Sequence, residues 1–267
     1  MQEELGNEHG LCVYLETENY KCLLDTGASD MFIHNAEKME IELVDVDYVF
    51  ISHGHSDHIG GLHAFLEINR KAKIVLSKNA LSQRFFSIRK GLREISSNID
   101  ISHYEERFIF IDEVTEFENE ILVFPCRQAI YPMPKANNTL MAESANGLKE
   151  DNFNHEIVVC IGIDDLLVYT GCAHHGVLNI LNSVQKQTGK HISTLFGGFH
   201  LVDGYPVQYE TEEEITDIAE SLATDYPDTM IYTGHCTGNN VYQLLKKTIG
   251  DNLKSFYTGF TLFIHKS

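Results

Sequence analysis

Short apolar runs separated by polar turns recur along the N-terminal part of the chain. Leu11–Glu16 and Tyr20–Asp25 are mainly apolar runs on either side of the polar segment Thr17–Asn19, a pattern that predicts two short strands joined in a β-hairpin. A helical segment is predicted around Asn35–Met39. The apolar run Val46–Ile51 then predicts a strand whose carboxyl end leads directly into a cluster of histidines.

The pattern beyond this cluster predicts a helix and a further strand. Apolar positions within Ile59–Asn69 have helical spacing, and Lys73–Leu76 has the composition of a buried strand. Residues 80–105 show a mixed helical pattern. Residues 131–154 are polar and predict a long loop, which either covers a substrate or is a simple surface insertion.

The second half of the chain repeats this rhythm of strands and helices. Strands are predicted at Phe108–Ile111, Ile121–Phe124, Ile157–Ile161, Leu166–Tyr169, Ser193–Phe196 and Met230–Thr233, and helices at Val177–Gln187, Thr211–Tyr226 and Asn240–Ile249. Each half then forms a short sheet that carries helices, which favours two packed sheets with helices outside. We expect one α/β domain over residues 1–267.

Charge and composition narrow the class of partner. The formal net charge of −19 repels phosphate backbones and anionic membrane surfaces, so the pattern predicts a small-molecule substrate, no nucleic acid and no membrane. The six cysteines are scattered without paired spacing, which is typical of reduced thiols. The N-terminus shows no basic region followed by an apolar run, and the expected location is cytoplasmic. The composition does not indicate the oligomeric state.

Candidate metal ligands are concentrated in Ser52-His-Gly-His-Ser-Asp-His58. His53 and His55 occupy alternate positions on a tight loop and can direct two imidazoles to one metal ion, while Asp57 and His58 turn towards a second. The alternative is a histidine-rich surface loop. The apolar strand in front and further histidines at later strand ends favour the metal site.

This motif resembles the His-x-His-x-Asp-His signature of the metallo-β-lactamase superfamily. The resemblance implies a four-layer αββα sandwich and two metal ions that activate water. Leu24-Asp-Thr-Gly27 is similar to the superfamily's first motif, which implies that Asp25 braces the metal loop without binding metal.

The resemblance extends to three later motifs. In Tyr169–Gly176 the bridging aspartate of the superfamily is replaced by Cys172, and His174 is the favoured ligand of the two. Gly234-His235 is similar to the last motif, which implies that His235 is a ligand of the second metal ion. His200 follows Gly-Gly-Phe, and its expected role is either catalytic acid–base work, substrate contact or metal ligation.

One further histidine leaves its role open. His155 precedes a predicted strand and is either a metal ligand or a residue that supports one. It ranks below His174 as a candidate for the metal shell.

One branch of the superfamily matches more specifically. Asn7–Leu11, which contains His9, and the Gly-Cys-Ala-His, Gly-Gly-Phe-His and Gly-His-Cys-Thr-Gly runs resemble the dihydropterin–ribofuranosylaminobenzene phosphate synthases and their bacterial relatives. Ala173 and His175 depart from the residues common in that branch, which puts the substrate in doubt and not the metal site.

The expected cofactors are two divalent metal ions. Ligation dominated by histidine favours zinc, although iron and manganese accept such ligands too. Asp57 is expected to serve both as a ligand and in catalysis. If the substrate carries a phosphate, Lys135 or the Arg84–Arg93 segment would supply positive charge, although a solvated helix face is the favoured interpretation of each of these cations.

Three other functions compete with the hydrolase or transferase hypothesis. A di-iron redox protein of the same fold usually has glutamate at the second histidine position, where this chain has His55. A metal-retaining sensor would bind a ligand without turnover. A β-lactamase proper is disfavoured because the N-terminus shows no export signal.

Overall fold

The computed structural model describes residues 4–203 and 209–264. These residues form two compact units. Unit 1 comprises the described parts of Met1–Glu113, Leu140–Ile157 and Thr258–Thr261, and unit 2 comprises those of Val114–Thr139, Val158–Tyr257 and Leu262–Ser267. That the whole chain is a single domain stays a prediction.

Unit 1 is built on a five-stranded sheet with the order β1-β2-β3-β4-β7. The strands of unit 1 as a whole are β1 (Val13–Glu16), β2 (Lys21–Leu24), β3 (Tyr48–Phe50), β4 (Lys73–Leu76), β5 (Phe85–Ser87), β6 (Arg93–Glu94), β7 (Phe108–Phe110), β10 (Leu140–Ser144) and β11 (Gly147–Glu150). Its helices are α1 (Met31–Lys38), α2 (Ser56–Ile59), α3 (Leu62–Ile68) and α4 (Asn79–Ser82). β1 and β2 form the predicted antiparallel hairpin, and β2, β3, β4 and β7 run parallel.

The register of the parallel strands brings two chain positions to one sheet edge. Leu24 at the end of β2 lies opposite Phe50 at the end of β3. The backbone N–H of Asp25 donates to the carbonyl of Phe50 at 2.8 Å. The first residues beyond both strands, Asp25 and Ile51, therefore lie at the carboxyl edge of the sheet, where parallel strands commonly place functional residues.

Unit 1 has a core that holds this edge in place. Val49 and Ile74 of the sheet pack with Leu62, Phe65 and Leu66 of α3, and all five side chains are fully buried. The apolar spacing of Ile59–Asn69 thus marks the buried face of a helix, as predicted, although the segment divides into α2 and α3. The helix predicted around Asn35–Met39 begins four residues earlier, at Met31.

In two segments of irregular sequence pattern the structure differs from the sequence-based expectation. Residues 131–154 are not one loop, because β10 and β11 form an antiparallel hairpin within them. β5 pairs with β10 and β6 pairs with β5, so the mixed helical pattern of residues 80–105 corresponds to the end of α4 followed by two short strands. These strands have two to five residues each, too few to show a period in the sequence.

Unit 2 is built on a seven-stranded sheet with the order β16-β15-β14-β13-β12-β9-β8. Its strands are β8 (Thr115–Phe117), β9 (Ile121–Pro125), β12 (Ile157–Ile161), β13 (Asp165–Tyr169), β14 (His191–Phe196), β15 (Met230–Thr233) and β16 (Leu253–Ser255). Its helices are α5 (Val177–Thr188), α6 (Glu212–Asp225) and α7 (Asn239–Ile249). β13, β14, β15 and β16 run parallel, so the turns after β13, β14 and β15 share one edge.

Local signals fix the helices of unit 2 close to their predicted bounds. Thr211 and Glu214 form a reciprocal capping box at the start of α6, as the Thr-Glu-Glu-Glu run predicts. α5 ends at Gly189, whose φ of 63° is the left-handed conformation that favours glycine at a helix end. Ile180, Leu181 and other side chains of α5 pack into the core of this unit.

No helix among residues 4–203 and 209–264 is both long and apolar enough to cross a membrane.

Candidate metal centre

The histidine motif of unit 1 follows β3 directly. His53, His55 and His58 are buried, whereas the side chain of Asp57 is 24% exposed. A ring nitrogen of His53 lies within 4.8 Å of a ring nitrogen of His55 and of one of His58. Three imidazoles thus converge in this unit, as the spacing predicts.

A hydrogen-bond chain through Asp25 fixes two of these rings. The Oδ2 atom of Asp25 accepts from Nδ1 of His58 at 2.6 Å and from the hydroxyl of Ser52 at 2.7 Å. The Ser52 oxygen, whose hydrogen is engaged with Asp25, accepts from Nδ1 of His53 at 2.8 Å. Both imidazoles then carry their proton on Nδ1 and direct an Nε2 lone pair outward, which is the tautomer a metal ligand needs.

The backbone of Asp25 supports the bracing role that the resemblance implies. Its φ of 61° lies in the left-handed region, which is uncommon for a residue other than glycine. The backbone N–H of Ser52 donates to its Oδ1 atom at 2.6 Å. Asp25 therefore joins the end of β2 to the loop after β3.

His155 is held by hydrogen bonds on both ring nitrogens. Its Nδ1 accepts from the backbone N–H of Gly54 at 3.0 Å, so its proton is on Nε2, which lies 3.0 Å from Oδ2 of Asp151. Burial lowers the pKa of this imidazole. Of the two roles left open for His155, the contacts support the bracing of the metal loop rather than ligation.

Asp151 lies in no sequence motif and was not among the predicted site residues. Its Oδ2 also lies 3.6 Å from Nε2 of His55, and the side chain has no exposed surface. Burial alone would raise the pKa of Asp151, but the hydrogen bond with His155 and the nearby imidazole of His55 hold it well below the usual range of a carboxyl. With Nε2 directed at Asp151, Nδ1 is the ring nitrogen of His55 that remains available to a metal ion.

Two glycines let α2 and α3 approach the strand edge. A Cβ atom on Gly60 would collide with the carbonyl oxygens of Ala28 and Ser56, and one on Gly61 would collide with that of Thr26. The loop can therefore close against the end of β2 only without side chains at these positions.

A second group of donors lies in unit 2. Ligand atoms of Cys172, His174 and His200 lie within 4.8 Å of one another, and the His174 and His200 ring centroids are 4.3 Å apart. Asn137 fixes the ring of His174: its Oδ1 accepts from Nδ1 at 3.0 Å, and its Nδ2 donates to the His174 carbonyl at 2.7 Å. His174 thereby has the same tautomer as His53 and His58.

His200 differs from the other histidines. Its side chain is buried, and neither ring nitrogen has a hydrogen-bond partner among the described residues. Its φ of 50° is left-handed, as are those of Ala173 (54°) and His235 (55°). Non-glycine residues in this conformation cluster at functional sites, where the surrounding structure enforces them.

The last motif brings a further thiol into this group. Ligand atoms of Cys172, His235 and Cys236 lie within 4.8 Å of one another. Burial would raise the pKa of the Cys236 thiol, but its hydrogen bond with Cys172 and the nearby imidazoles of His200 and His235 lower it well below its usual value. Cys236 was not among the residues predicted for the site.

The donor chemistry of both groups fits divalent metal ions. Imidazole and thiolate are the ligands that zinc prefers. Its usual nitrogen donors are neutral histidines in which one ring nitrogen donates a hydrogen bond and the other is left to bind the metal. The rings of His53, His58 and His174 are fixed in this form. That the donors of the two groups serve common metal ions stays a prediction.

Two of the predicted cations, Lys135 and Arg84, are engaged in ion pairs. Lys135 Nζ lies 2.6 Å from Glu214, and Arg84 lies 2.5 Å from Glu94. Near the metal loop, Nε2 of His9 lies 3.4 Å from Oδ2 of Asp57. Because Lys135 and Arg84 are both paired with carboxylates, neither offers an unpaired positive charge for binding of a phosphate.

Comparison with known proteins agrees with this geometry. Residues 5–126 match the family described as Metallo-beta-lactamase superfamily. A crystal structure described as a metal-dependent hydrolase of the beta-lactamase superfamily aligns with 99% of this chain and 95% of its own, with a TM-score of 0.82 and 26% identity. The predicted metallo-β-lactamase fold is confirmed.

Two curated relatives from Methanocaldococcus jannaschii match over most of their length. An uncharacterized protein is 26% identical over 86% of this chain and 84% of its own. A 7,8-dihydropterin-6-methyl-4-(beta-D-ribofuranosyl)-aminobenzene-5'-phosphate synthase is 24% identical over 95% of this chain and 89% of its own. Members of this superfamily bind divalent metals.

Proposed function

We propose that this protein is a metal-dependent hydrolase that binds two divalent ions through His53, His55, Asp57, His58, His174 and His235. One observation carries the proposal. His53, His58 and His174 are buried, and a partner on Nδ1 holds each in the tautomer that directs Nε2 to a metal. Buried histidines with a purely structural role have no need of a common tautomer.

The bound ions would supply Lewis acidity that activates water and stabilises developing negative charge. The chain's own residues position the reactants. Asp25 and Ser52 orient the rings of His53 and His58, and Asn137 orients His174. His200, buried and without a hydrogen-bond partner among the described residues, is the candidate for proton transfer or contact with the substrate.

The proposed substrate is a small molecule that carries a phosphate or a pterin. The relationship with the M. jannaschii synthase over nearly the whole chain supports this class. A net charge of −19 opposes binding of a large polyanion, and Lys135 and Arg84 are already paired with carboxylates. Recognition of a phosphate would then depend on the metal ions themselves.

Metal analysis combined with a substrate panel tests this proposal. The protein is purified without added metal, its metals are counted, and phosphodiester, phosphomonoester, lactone, thioester and β-lactam substrates are assayed. His58→Ala should lose metal and turnover, whereas His63→Ala should retain both, because that side chain is 58% exposed. Full turnover by metal-free protein would refute the proposal, and ligand binding without turnover would favour a non-catalytic sensor.

The relationship with the synthase favours a second candidate activity. A synthase of that product must join a dihydropterin to a ribofuranosylaminobenzene phosphate. The test supplies the latter with a dihydropterin that carries a leaving group on its 6-methyl carbon. Condensation that requires His174 would establish a transferase. Hydrolysis of the panel substrates without any condensation would exclude the transferase activity.

A further inference from the structure

Two cysteines distant in the sequence are in contact in unit 2. The Sγ atoms of Cys172 and Cys236 lie 3.2 Å apart although 64 positions separate the residues, and no disulfide joins them. Cys172 lies in the turn after β13, and Cys236 lies in the turn after β15. The parallel strands β13, β14 and β15 are consecutive in the sheet, which brings these turns to one edge.

Imidazoles lie around the two sulfur atoms. A ring nitrogen of His235 lies within 4.8 Å of both, and ring nitrogens of His174 and His200 lie within the same distance of Cys172. His200 is 7% exposed, and its ring nitrogens have no hydrogen-bond partner among the described residues. Such a group is costly to bury unless something binds it.

The backbone is shaped to admit Cys236. A Cβ atom on Gly198 would collide with its Sγ, and the backbone N–H of His200 donates to that sulfur at 3.2 Å. His200 and His235 both adopt left-handed conformations in these turns. This edge of the sheet is therefore built around the Cys236 sulfur.

We infer that Cys172 and Cys236 are thiolate ligands that, together with His235, bind a thiophilic divalent ion such as zinc. The inference rests on the proposed binding of metal by His235 and does not require hydrolysis. No role in the proposed reaction accounts for Cys236, and the aspartate–histidine ligand set predicted from the motifs contains no second sulfur.

The distance between the sulfur atoms favours ligation over a disulfide. Two thiolates on one tetrahedral ion, each at about 2.3 Å, have sulfurs about 3.8 Å apart. The observed 3.2 Å needs an expansion of only about 0.6 Å to reach this value, whereas a disulfide bond of about 2.05 Å needs a contraction of about 1.1 Å. Thiolate ligands also select zinc over manganese or magnesium.

Cobalt and cadmium substitution tests the inference on the full-length chain. The protein is stripped with a chelator, kept reduced with a phosphine and reloaded with Co²⁺ or Cd²⁺. Wild type should show sulfur-to-metal charge-transfer absorption in the ultraviolet. Cys172→Ser and Cys236→Ser should each lose about half of this absorption and bind zinc at least about tenfold more weakly.

Cys126→Ser is the matched control, because that thiol is buried in the core of unit 2 beside Ser183. It should retain the full absorption. X-ray absorption at the zinc edge of the wild type gives a second readout that no misfolded variant can obscure, and it should show sulfur in the first coordination shell.

The outcomes separate this inference from the proposed function. Absence of the charge-transfer absorption and of sulfur scattering in metal-loaded wild type overturns the inference, even if the enzyme hydrolyses its substrate. Absorption unchanged in both serine variants overturns it as well. Sulfur ligation without turnover of any panel substrate supports the inference while the hydrolase proposal fails.

Discussion

Nδ1 of His58 lies 2.6 Å from Oδ2 of Asp25, and neither side chain has exposed surface. The two residues are 33 positions apart in the sequence, and the parallel pairing of β2 with β3 brings them together. This contact fixes both the orientation and the tautomer of a proposed metal ligand. It also connects to His53 through the hydroxyl of Ser52.

Replacement of Asp25 should therefore weaken metal binding without removal of a ligand. Loss of a carboxylate that orients a histidine typically reduces metal affinity about 10- to 100-fold, and Asp25→Ala should fall in this range. Competition with a chromophoric chelator measures the affinity. Asp45→Ala, which removes an exposed carboxylate paired with Lys21, is the control and should bind metal normally. Equal affinities in the two variants would show that Asp25 does not orient the ligands.

Asn137 should have a similar effect through His174. Asn137→Ala removes the acceptor for Nδ1 and the donor to the His174 carbonyl, so we expect a loss of roughly tenfold or more in metal affinity. Asn137→Asp keeps an acceptor for Nδ1 and should lose less. Asn252→Ala, which removes an exposed contact with the Pro227 carbonyl, should have no effect. If Asn137→Asp were as defective as Asn137→Ala, control of the tautomer would not be the reason.

Asp151 should contribute strongly to stability. Asp151 and His155 are fully buried and 3.0 Å apart, and removal of the carboxylate leaves the buried Nε2–H of His155 without its acceptor, which commonly costs about 1–3 kcal/mol. Urea denaturation of metal-free Asp151→Ala should show a loss of this size. Asp165→Ala breaks an exposed pair with His191 and should cost no more than about 1 kcal/mol. A smaller loss at Asp151 than at Asp165 would contradict the account of the bracing contact.

Gly60 should not tolerate a side chain. Gly60→Ala places a methyl group against the carbonyl oxygens of Ala28 and Ser56, and forced packing of this kind costs about 1–3 kcal/mol. The displaced loop should also bind metal more weakly. Gly91→Ala meets no atom within 4 Å, although its φ of 90° is unfavourable for alanine, and it should leave metal affinity unchanged. Thermal unfolding with and without zinc measures both effects, and normal zinc stabilisation of Gly60→Ala would argue against the close approach.

The sequence was sufficient to select the candidate site residues that follow regular strands. His53, His55 and His58 stand directly after an apolar run, and Asp25 follows the strand beside it, so a strand pattern with motif spacing identifies them. His174 and His235 follow β13 and β15 in the same way. A short-range pattern along the chain thus leads to residues that share a sheet edge.

Asp151 and Asn137, which contact the candidate ligands His55 and His174, have no such signal in the sequence. Asp151 lies just after the hairpin of β10 and β11, and Asn137 lies in a short 3-10 turn, Lys135–Thr139, before it. Both lie in residues 131–154, the polar segment for which the sequence predicts a long loop. Cys236 was next to a predicted ligand, but its contact with Cys172 depends on the order β13-β14-β15, which neither sequence position shows alone.

Metal content is the most direct test of the central claim that the histidine motifs of both units bind the functional metal ions. Elemental analysis of wild type, His53→Ala and His235→Ala is compared with that of His191→Ala, whose side chain is 51% exposed. The account predicts two ions per chain in wild type and in His191→Ala, and a clear loss in each of the other two variants. Full metal content in either His53→Ala or His235→Ala would contradict it.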